Sequence, residues 1–276
     1  MGSEVQILSS RPFIIENQLL AEILVTNDDG VHSEGIISLA EALSRLGRVT
    51  TVAPAREMSA TSQSLTLHHP IRYQELGPGR YSVEGTPTDC IILALHHLLP
   101  SRPDIVVSGI NTGPNLGRDI GYSGTVAGAV EAANHDIPAF AISLGTRNHL
   151  KYEEAALFAA SLVERILNEP LPAGIILNVN VPPGEIKGIR ITCQGHRNIR
   201  NLVVENRDPR GRKYYWFDQE LSIAESERDS ALDYVAVAAG FVSITPLKID
   251  RTGYDVAETI AHWPGALLKE KISLSQ

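Results

Sequence analysis

Five short apolar runs, at residues 23–26, 49–53, 104–108, 139–143 and 175–181, alternate along the chain with stretches of helical spacing. Short, continuously apolar runs bounded by turn residues read as strands buried on both faces. Strands separated by helices leave few architectures open. Parallel neighbours need a long crossover, and the helix that supplies it covers one face of the sheet. The chain is therefore expected to be an α/β protein with a doubly wound, mostly parallel, Rossmann-like sheet. Its 276 residues, 43% of them hydrophobic, suffice for such a core.

The connecting segments carry end signals. Ser33 can cap a helix over residues 34–46, with Gly47 as its stop. Thr86-Pro87-Thr88-Asp89 combines a capping hydroxyl, Pro at the first position and an acid at the third, ahead of a helix to about residue 99. Residues 123–135 form a small-residue helix and 152–168 another. Residues 65–76 and 80–84 read as two strands around Gly77-Pro78-Gly79, an antiparallel excursion. Beyond residue 182 the pattern changes. Residues 189–193, 234–238 and 241–245 read as strands, and 255–268 as a closing helix. Polar residues 198–218, with Asp208-Pro209-Arg210-Gly211 as a turn and Tyr214-Tyr215-Trp216-Phe217 after it, read as a projecting hairpin arm. Residues 1–20 are expected to be a poorly structured extension, and 21–276 one domain with the projecting arm at about 198–218.

The formal net charge of −8 argues against DNA as a partner. No apolar run approaches the roughly 20 residues of a membrane helix, and the start of the chain has no signal-peptide core. Cys90 and Cys193, the only cysteines, both fall in apolar patterns and read as core residues, which leaves no disulfide framework or zinc site. A cytoplasmic protein is expected.

Asn27-Asp28-Asp29-Gly30 follows the first strand. In open α/β sheets ligands bind beyond the carboxyl ends of the strands. Two carboxylates about 5 Å apart repel by roughly 3 kcal/mol at an effective dielectric near 20. A divalent cation relieves that repulsion; a solvated Asp-Asp-Gly turn is the plainer alternative. Ser59 lies in the loop after the second strand and Asn111 after the 104–108 strand. With Asp28 and Asp29 they make an all-oxygen set suited to Mg2+, Mn2+ or Ca2+. The stretch Ser123-Gly124-Thr125 opens a helix, whose unpaired N–H groups favour an anion, and the loop carrying Gly113, Asn115 and Gly117 can fold over the same place. A tightly packed small-residue helix would use the same residues. Metal-type ligands beside an anion cradle point to phosphoryl chemistry. No P-loop, dinucleotide fingerprint after the first strand, or Gly-x-Ser-x-Gly elbow is present. His68-His69 and His96-His97 lack metal-binding spacing and read as packing or solvent residues.

These motifs, in order, resemble the stationary-phase survival protein SurE family. The stretches concerned are Ile23-Leu24-Val25-Thr26-Asn27-Asp28-Asp29-Gly30, Val52-Ala53-Pro54 through Ser59, Gly85-Thr86-Pro87-Thr88-Asp89, Ser108-Gly109-Ile110-Asn111-Thr112-Gly113-Pro114-Asn115, Tyr122-Ser123-Gly124-Thr125-Val126 and Ser243-Ile244-Thr245-Pro246-Leu247. The resemblance spans roughly residues 22–255. It implies a divalent-metal-dependent nucleotidase acting on nucleoside 5'-monophosphates, with 3'-nucleotidase and exopolyphosphatase activity common. It implies one Mg2+ or Mn2+ per subunit on Asp28, Asp29, Ser59 and Asn111, with Asp28 or Asp29 as the catalytic base. It places the phosphate near Asn115, Ser123, Gly124 and Thr125, and implies a homodimer or homotetramer with exchanged C-terminal elements used in oligomerisation. Some members carry His where this chain has Lys248, which either contacts an anionic substrate or lies on the surface. A broad phosphatase, an exopolyphosphatase and a non-catalytic metal or nucleotide sensor are the alternatives.

Overall fold

The computed structural model describes residues 20–148, 150–195, 198–222 and 229–264. The expected extension at 1–20 lies outside these except for Leu20, and so do residues 265–268 of the expected closing helix and residues 223–228. Among the described residues, the strands in chain order are β1 (Ala21–Thr26), β2 (Gly47–Pro54), β3 (Tyr73–Gly77), β4 (Arg80–Val83), β5 (Ile105–Asn111), β6 (Ala139–Leu144), β7 (Ile175–Val181), β8 (Ile189–Ile191), β9 (Asn198–Arg207), β10 (Lys213–Ser222) and β11 (Val242–Lys248). Nine of them form one sheet in the order β3-β4-β2-β1-β5-β6-β7-β11-β8. Every pairing from β4 to β7 is parallel; β3 on β4 and β11 on β7 are antiparallel. The expected doubly wound, mostly parallel sheet is what forms.

The helices are α1 (Glu34–Leu43), α2 (Pro87–Leu93), α3 (Gly124–Asn134), α4 (Tyr152–Asn168), α5 (Asp233–Ala238) and α6 (Tyr254–Thr259). α1 packs with α4 and α2 with α3. Because strand side chains alternate, Ile23 and Val25 join the core under α1 and α4, while Leu24 joins the core under α2 and α3. All three are buried, and each such burial stabilises by about 1.5–3 kcal/mol. α3 lies close against the sheet because it is made of small residues. A Cβ on Gly128 would come within 2.8 Å of Ser108 Oγ and 2.9 Å of Thr26 Cγ2. Among the described residues no helix is long and apolar enough to cross a membrane.

The α2 cap forms as its sequence predicts: Thr86 Oγ1 accepts from the Asp89 N–H at 3.1 Å, and Asp89 Oδ2 accepts from the Thr86 N–H at 2.9 Å. The helix then widens into a π-helical turn, Ala94–Leu98. Several expectations are corrected. α1 ends at Leu43, and Gly47 opens β2 rather than stopping the helix. Residues 65–72 are not strand. Asp89 takes that segment instead, accepting from the Thr66 N–H at 3.0 Å and its hydroxyl at 2.6 Å. Residues 234–238 are helix α5, because Asp233 at its start accepts from the Tyr234 N–H at 2.8 Å and a left-handed Gly240 closes its end. Cys193 is exposed: β8 stops at Ile191, and only an isolated bridge to Leu232 continues it. Of the two His pairs, His97 lies edge-on to Tyr73 and His96 to His135, while His68 and His69 are exposed.

Among the described residues, the arm strands β9 and β10 pair only with each other, in a two-stranded antiparallel sheet. Asp208 makes the turn between them: its Oδ1 accepts from the Arg210 and Arg212 N–H groups and its Oδ2 from Arg212 Nε.

Candidate active site

The sheet order creates the site. From β1 the chain crosses to β2 on one side, and from β5 it crosses to β6 on the other. The loops beyond two adjacent parallel strands therefore diverge, and a crevice opens at their carboxyl ends. Asp28 and Asp29 follow β1, and Asn111 ends β5. Asn27 holds the turn between β1 and α1: its Nδ2 donates to the Gly30 carbonyl at 3.1 Å and to Ser33 Oγ at 2.7 Å. Ser33 is thus at the N-cap of α1 without capping it by its side chain.

Three elements converge on the two aspartates. The Met58 N–H donates to the Asp28 carbonyl at 2.7 Å, which brings the loop after β2, with Ser59, alongside β1. The Thr112 N–H and hydroxyl both donate to Asp29 Oδ2, at 2.8 and 3.0 Å, so Asp29 leans toward the end of β5 beside Asn111. The Thr125 hydroxyl donates to Asp28 Oδ1 at 2.5 Å, and its N–H supports the same carboxylate. Asp28 therefore sits on the first turn of α3. Ser62 ties the loop to the same turn, its N–H donating to the Tyr122 carbonyl at 3.0 Å and its Oγ to the Gly121 carbonyl at 2.9 Å.

Individual side chains differ from the simplest expectation. Gly124 and Thr125, expected at the phosphate, both contact Asp28. A Cβ on Gly124 would lie 2.8 Å from Asp28 Cβ and 3.0 Å from its Oδ2. Thr125 is wholly buried, with its hydroxyl given to the carboxylate rather than turned outward. Ser123 Oγ accepts from the Val126 N–H at 3.0 Å, which leaves its own proton to donate. Asn115 is buried; its Nδ2 donates inward to Ser143 Oγ at 2.8 Å and over 3.4 Å to Thr125 Oγ1. Ser59 is exposed and donates to Glu57 Oε1 at 2.6 Å. Asn111 Nδ2 donates to the Gly113 carbonyl at 2.8 Å. Lys248 is exposed at the end of β11.

Sequence reasoning missed Thr112, Met58 and Tyr152. Tyr152 lies within 2.7 Å of the Thr112 hydroxyl, completing a chain from α4 to Asp29. A hydroxyl directly after a candidate ligand at a strand end was the available signal for Thr112. Nothing local marks Tyr152, which comes from a helix 40 residues away.

Burial pushes the Asp28 carboxyl up from 3.8 to about 6, the Asp29 charge adds to the rise, and the Thr125 hydrogen bond opposes it. The folded state thus holds this proton more tightly than the unfolded chain. The contribution to stability is present below about pH 4 and is lost as pH rises through about 6, by roughly 3 kcal/mol. Denaturant titrations of chelator-treated protein between pH 4 and 7 are expected to show this loss in the wild type and not in Asp28→Asn. Equal pH slopes in the two proteins would refute it.

A buried carboxylate beside a second one calls for a cation. Among the described residues no three His, Cys, Asp or Glu side chains gather to hold a metal. The donor set available here is two carboxylates, a hydroxyl and an amide carbonyl, which suits a hard, oxygen-preferring ion that keeps part of its water shell. The residues fit such a group.

Comparison with known proteins gives a consistent result. The family model "Survival protein SurE" matches residues 23–201. The "5'-nucleotidase SurE" of Syntrophotalea carbinolica is 50% identical over 245 residues, covering 87% of this chain and 96% of that protein. The protein of the same name from Alkalilimnicola ehrlichii is 46% identical over 251 residues, covering 90% and 97%. The crystal structure of the SurE protein from Aquifex aeolicus superposes with a TM-score of 0.78 at 43% identity, covering 88% of this chain and 99% of that one. The family model spans well over half of the chain and these relatives match nearly their whole length, so the chain belongs to the SurE family.

Proposed function

We propose that this chain is a 5'-nucleotidase, a phosphoric monoester hydrolase that releases phosphate from nucleoside 5'-monophosphates, and from 3'-monophosphates as well, with a divalent cation. The observation that carries the reading is the contact between Asp28 and the first turn of α3, which joins a carboxylate pair to an anion-favouring helix start. The names of the relatives support it.

Asp28, Asp29, Ser59 and Asn111 would hold one Mg2+ or Mn2+ per subunit; Ser59 would have to exchange its Glu57 partner to do so. When bound, such an ion supplies positive charge to the phosphoryl oxygens and makes a water easier to deprotonate. Asp29 is the more accessible of the two carboxylates and is the base in this reading; Thr112 fixes its Oδ2 and leaves Oδ1 to take the proton of the attacking water. Ser123 and the start of α3 bind the phosphate and steady the charge that builds in the transition state. Thr125 and Gly124 act through Asp28, one by hydrogen bonding and the other by leaving room.

Colorimetric phosphate release tests the reading, with AMP, 3'-AMP and polyphosphate as substrates. Release from AMP is expected to stop in EDTA and return with Mn2+ or Mg2+. Activity that survives the chelator would remove the cation from the reading. Turnover of polyphosphate alone would make the chain an exopolyphosphatase, and turnover of nothing would favour a sensor.

The same reading makes the chain a homodimer or homotetramer. On the arm, Trp216 is 64% exposed and Phe217 83%, with Val203, Tyr214 and Tyr215 beside them. Apolar surface of this extent marks an interface. Replacing residues 200–215 by a short Gly-Ser turn is expected to shift the mass in light scattering toward the monomer. An unchanged mass would count against the arm.

A further inference from the structure

Two cavities open at the carboxyl edge of the sheet. The larger, about 500 Å3, lies between the loop after β2 and β4, with Arg56, His69 and Arg72 in its lining. The smaller, about 240 Å3, runs from the start of α3 to the end of β11. Of the two, only the smaller includes Ser123, the residue that caps α3. A phosphate held at that helix start has the smaller cavity as its immediate neighbour.

The lining of this cavity is of two kinds. Val126 and Leu247 supply apolar wall, while Gln63, Gln194, Lys248 and Arg251 supply amide and cationic groups; no carboxylate takes part. Three of these four polar groups are held in place. Arg251 Nη2 donates to Gln63 Oε1 at 3.0 Å, and Gln194 Nε2 donates to the Gly117 carbonyl at 2.8 Å. A nucleobase is a flat π surface with an edge rich in acceptors. Guanidinium and ammonium groups stack on such rings and donate to their edges, and a glutamine amide can pair with two edge groups at once. The volume is below the roughly 300–1,000 Å3 of pockets that enclose whole drug-sized ligands. It suits the nucleoside part of a nucleotide whose phosphate stays outside, at α3.

We propose that this cavity is the nucleoside subsite, with Gln63, Lys248 and Arg251 as its recognition groups. The inference rests on the nucleotidase reading above. It also gives Lys248 a contact with substrate rather than a free place on the surface.

The test uses the full-length chain and three substrates: AMP, GMP and p-nitrophenyl phosphate, which has no nucleoside. Gln63→Ala and Arg251→Ala are each expected to lower kcat/KM for the nucleotides about 10- to 100-fold more than for p-nitrophenyl phosphate, mainly through KM. Both variants change exposed or half-buried side chains, and thermal melting confirms that they fold. An equal fall on all three substrates, or none, overturns the assignment. So does a selective loss of nucleotide activity in Arg56→Ala/Arg72→Ala instead, which would move the nucleoside to the larger cavity. A wild type that hydrolyses none of the three counts against the nucleotidase reading itself. Calorimetric titration with adenosine then decides the cavity separately: binding that Arg251→Ala abolishes supports the subsite, and unchanged or absent binding rejects it.

Discussion

Asp29→Asn is expected to lower kcat for nucleotide hydrolysis by at least ~100-fold while leaving the fold intact. Asp29 Oδ2 accepts both hydrogen bonds that Thr112 offers. An asparagine can put its carbonyl oxygen in the same place and keep both bonds. What it cannot keep is the negative charge that attracts a cation or the free oxygen that takes a proton. The expected signature is therefore a melting temperature close to that of wild type, a large loss of kcat and weak Mn2+ binding. Full activity in the variant would sink the metal-dependent mechanism. Asp28→Asn is expected to be as inactive but different in stability. Its side chain is only 4% exposed and titrates at about 6, so removing the charge relieves a buried carboxylate in metal-free protein at neutral pH.

Gly124→Val is the second large effect. The sequence alone makes Gly124 a place where an anion can approach the backbone of a helix start. In the structure the near neighbour is a carboxylate of the protein itself: a Cβ would meet Asp28 Cβ at 2.8 Å, Asp28 Oδ2 at 3.0 Å and Thr61 Oγ1 at 3.1 Å. Neither side can yield easily, since Asp28 is fixed by Thr125 and Thr61 by the Met58 carbonyl. Even Gly124→Ala has to displace Asp28. We expect kcat/KM to fall at least ~100-fold in Gly124→Val, with Mn2+ affinity falling as well. Mn2+ calorimetry separates the two accounts, because blocking an anion alone would leave metal affinity unchanged. Ser123→Ala, by contrast, removes one donor to a charged group and is expected to cost about 10- to 150-fold in kcat/KM with metal affinity preserved.

Much of the fold was legible because burial imposes a period on the sequence. Runs such as 175–181 and 152–168 have the same bounds in structure as in pattern, since a fully buried strand and a four-turn amphipathic helix are long enough to show their period. The stretch 234–238 was not legible. Five apolar residues suit a strand or a short helix equally, and Asp233 decides between them through bonds to the Gly117, Gly195 and Tyr234 N–H groups, two of which come from distant loops. Cys193 was misplaced for a related reason: burial of a strand continuation depends on whether a neighbouring strand extends as far, and here β8 stops short.

By itself, the sequence determined the alternating strands and helices of the parallel core, that those strands bring Asp28, Asp29, Ser59 and Asn111 to one edge, and which family the motifs belong to. These follow from local periodicity, capping and ordered spacing, all of which are properties of neighbouring residues. Only the tertiary structure decided what each polar group does at that edge. Thr125 serves Asp28 across 97 residues, Thr112 serves Asp29 across 83, and Arg251 meets Gln63 across 188 beside the cavity at the start of α3. Hydrogen bonds are short and directional, so a small displacement of a helix start or a strand end changes their partners. No pattern along the chain records that displacement; the packing of α3 on β1 and β5 sets it, through the small residues that let the helix approach.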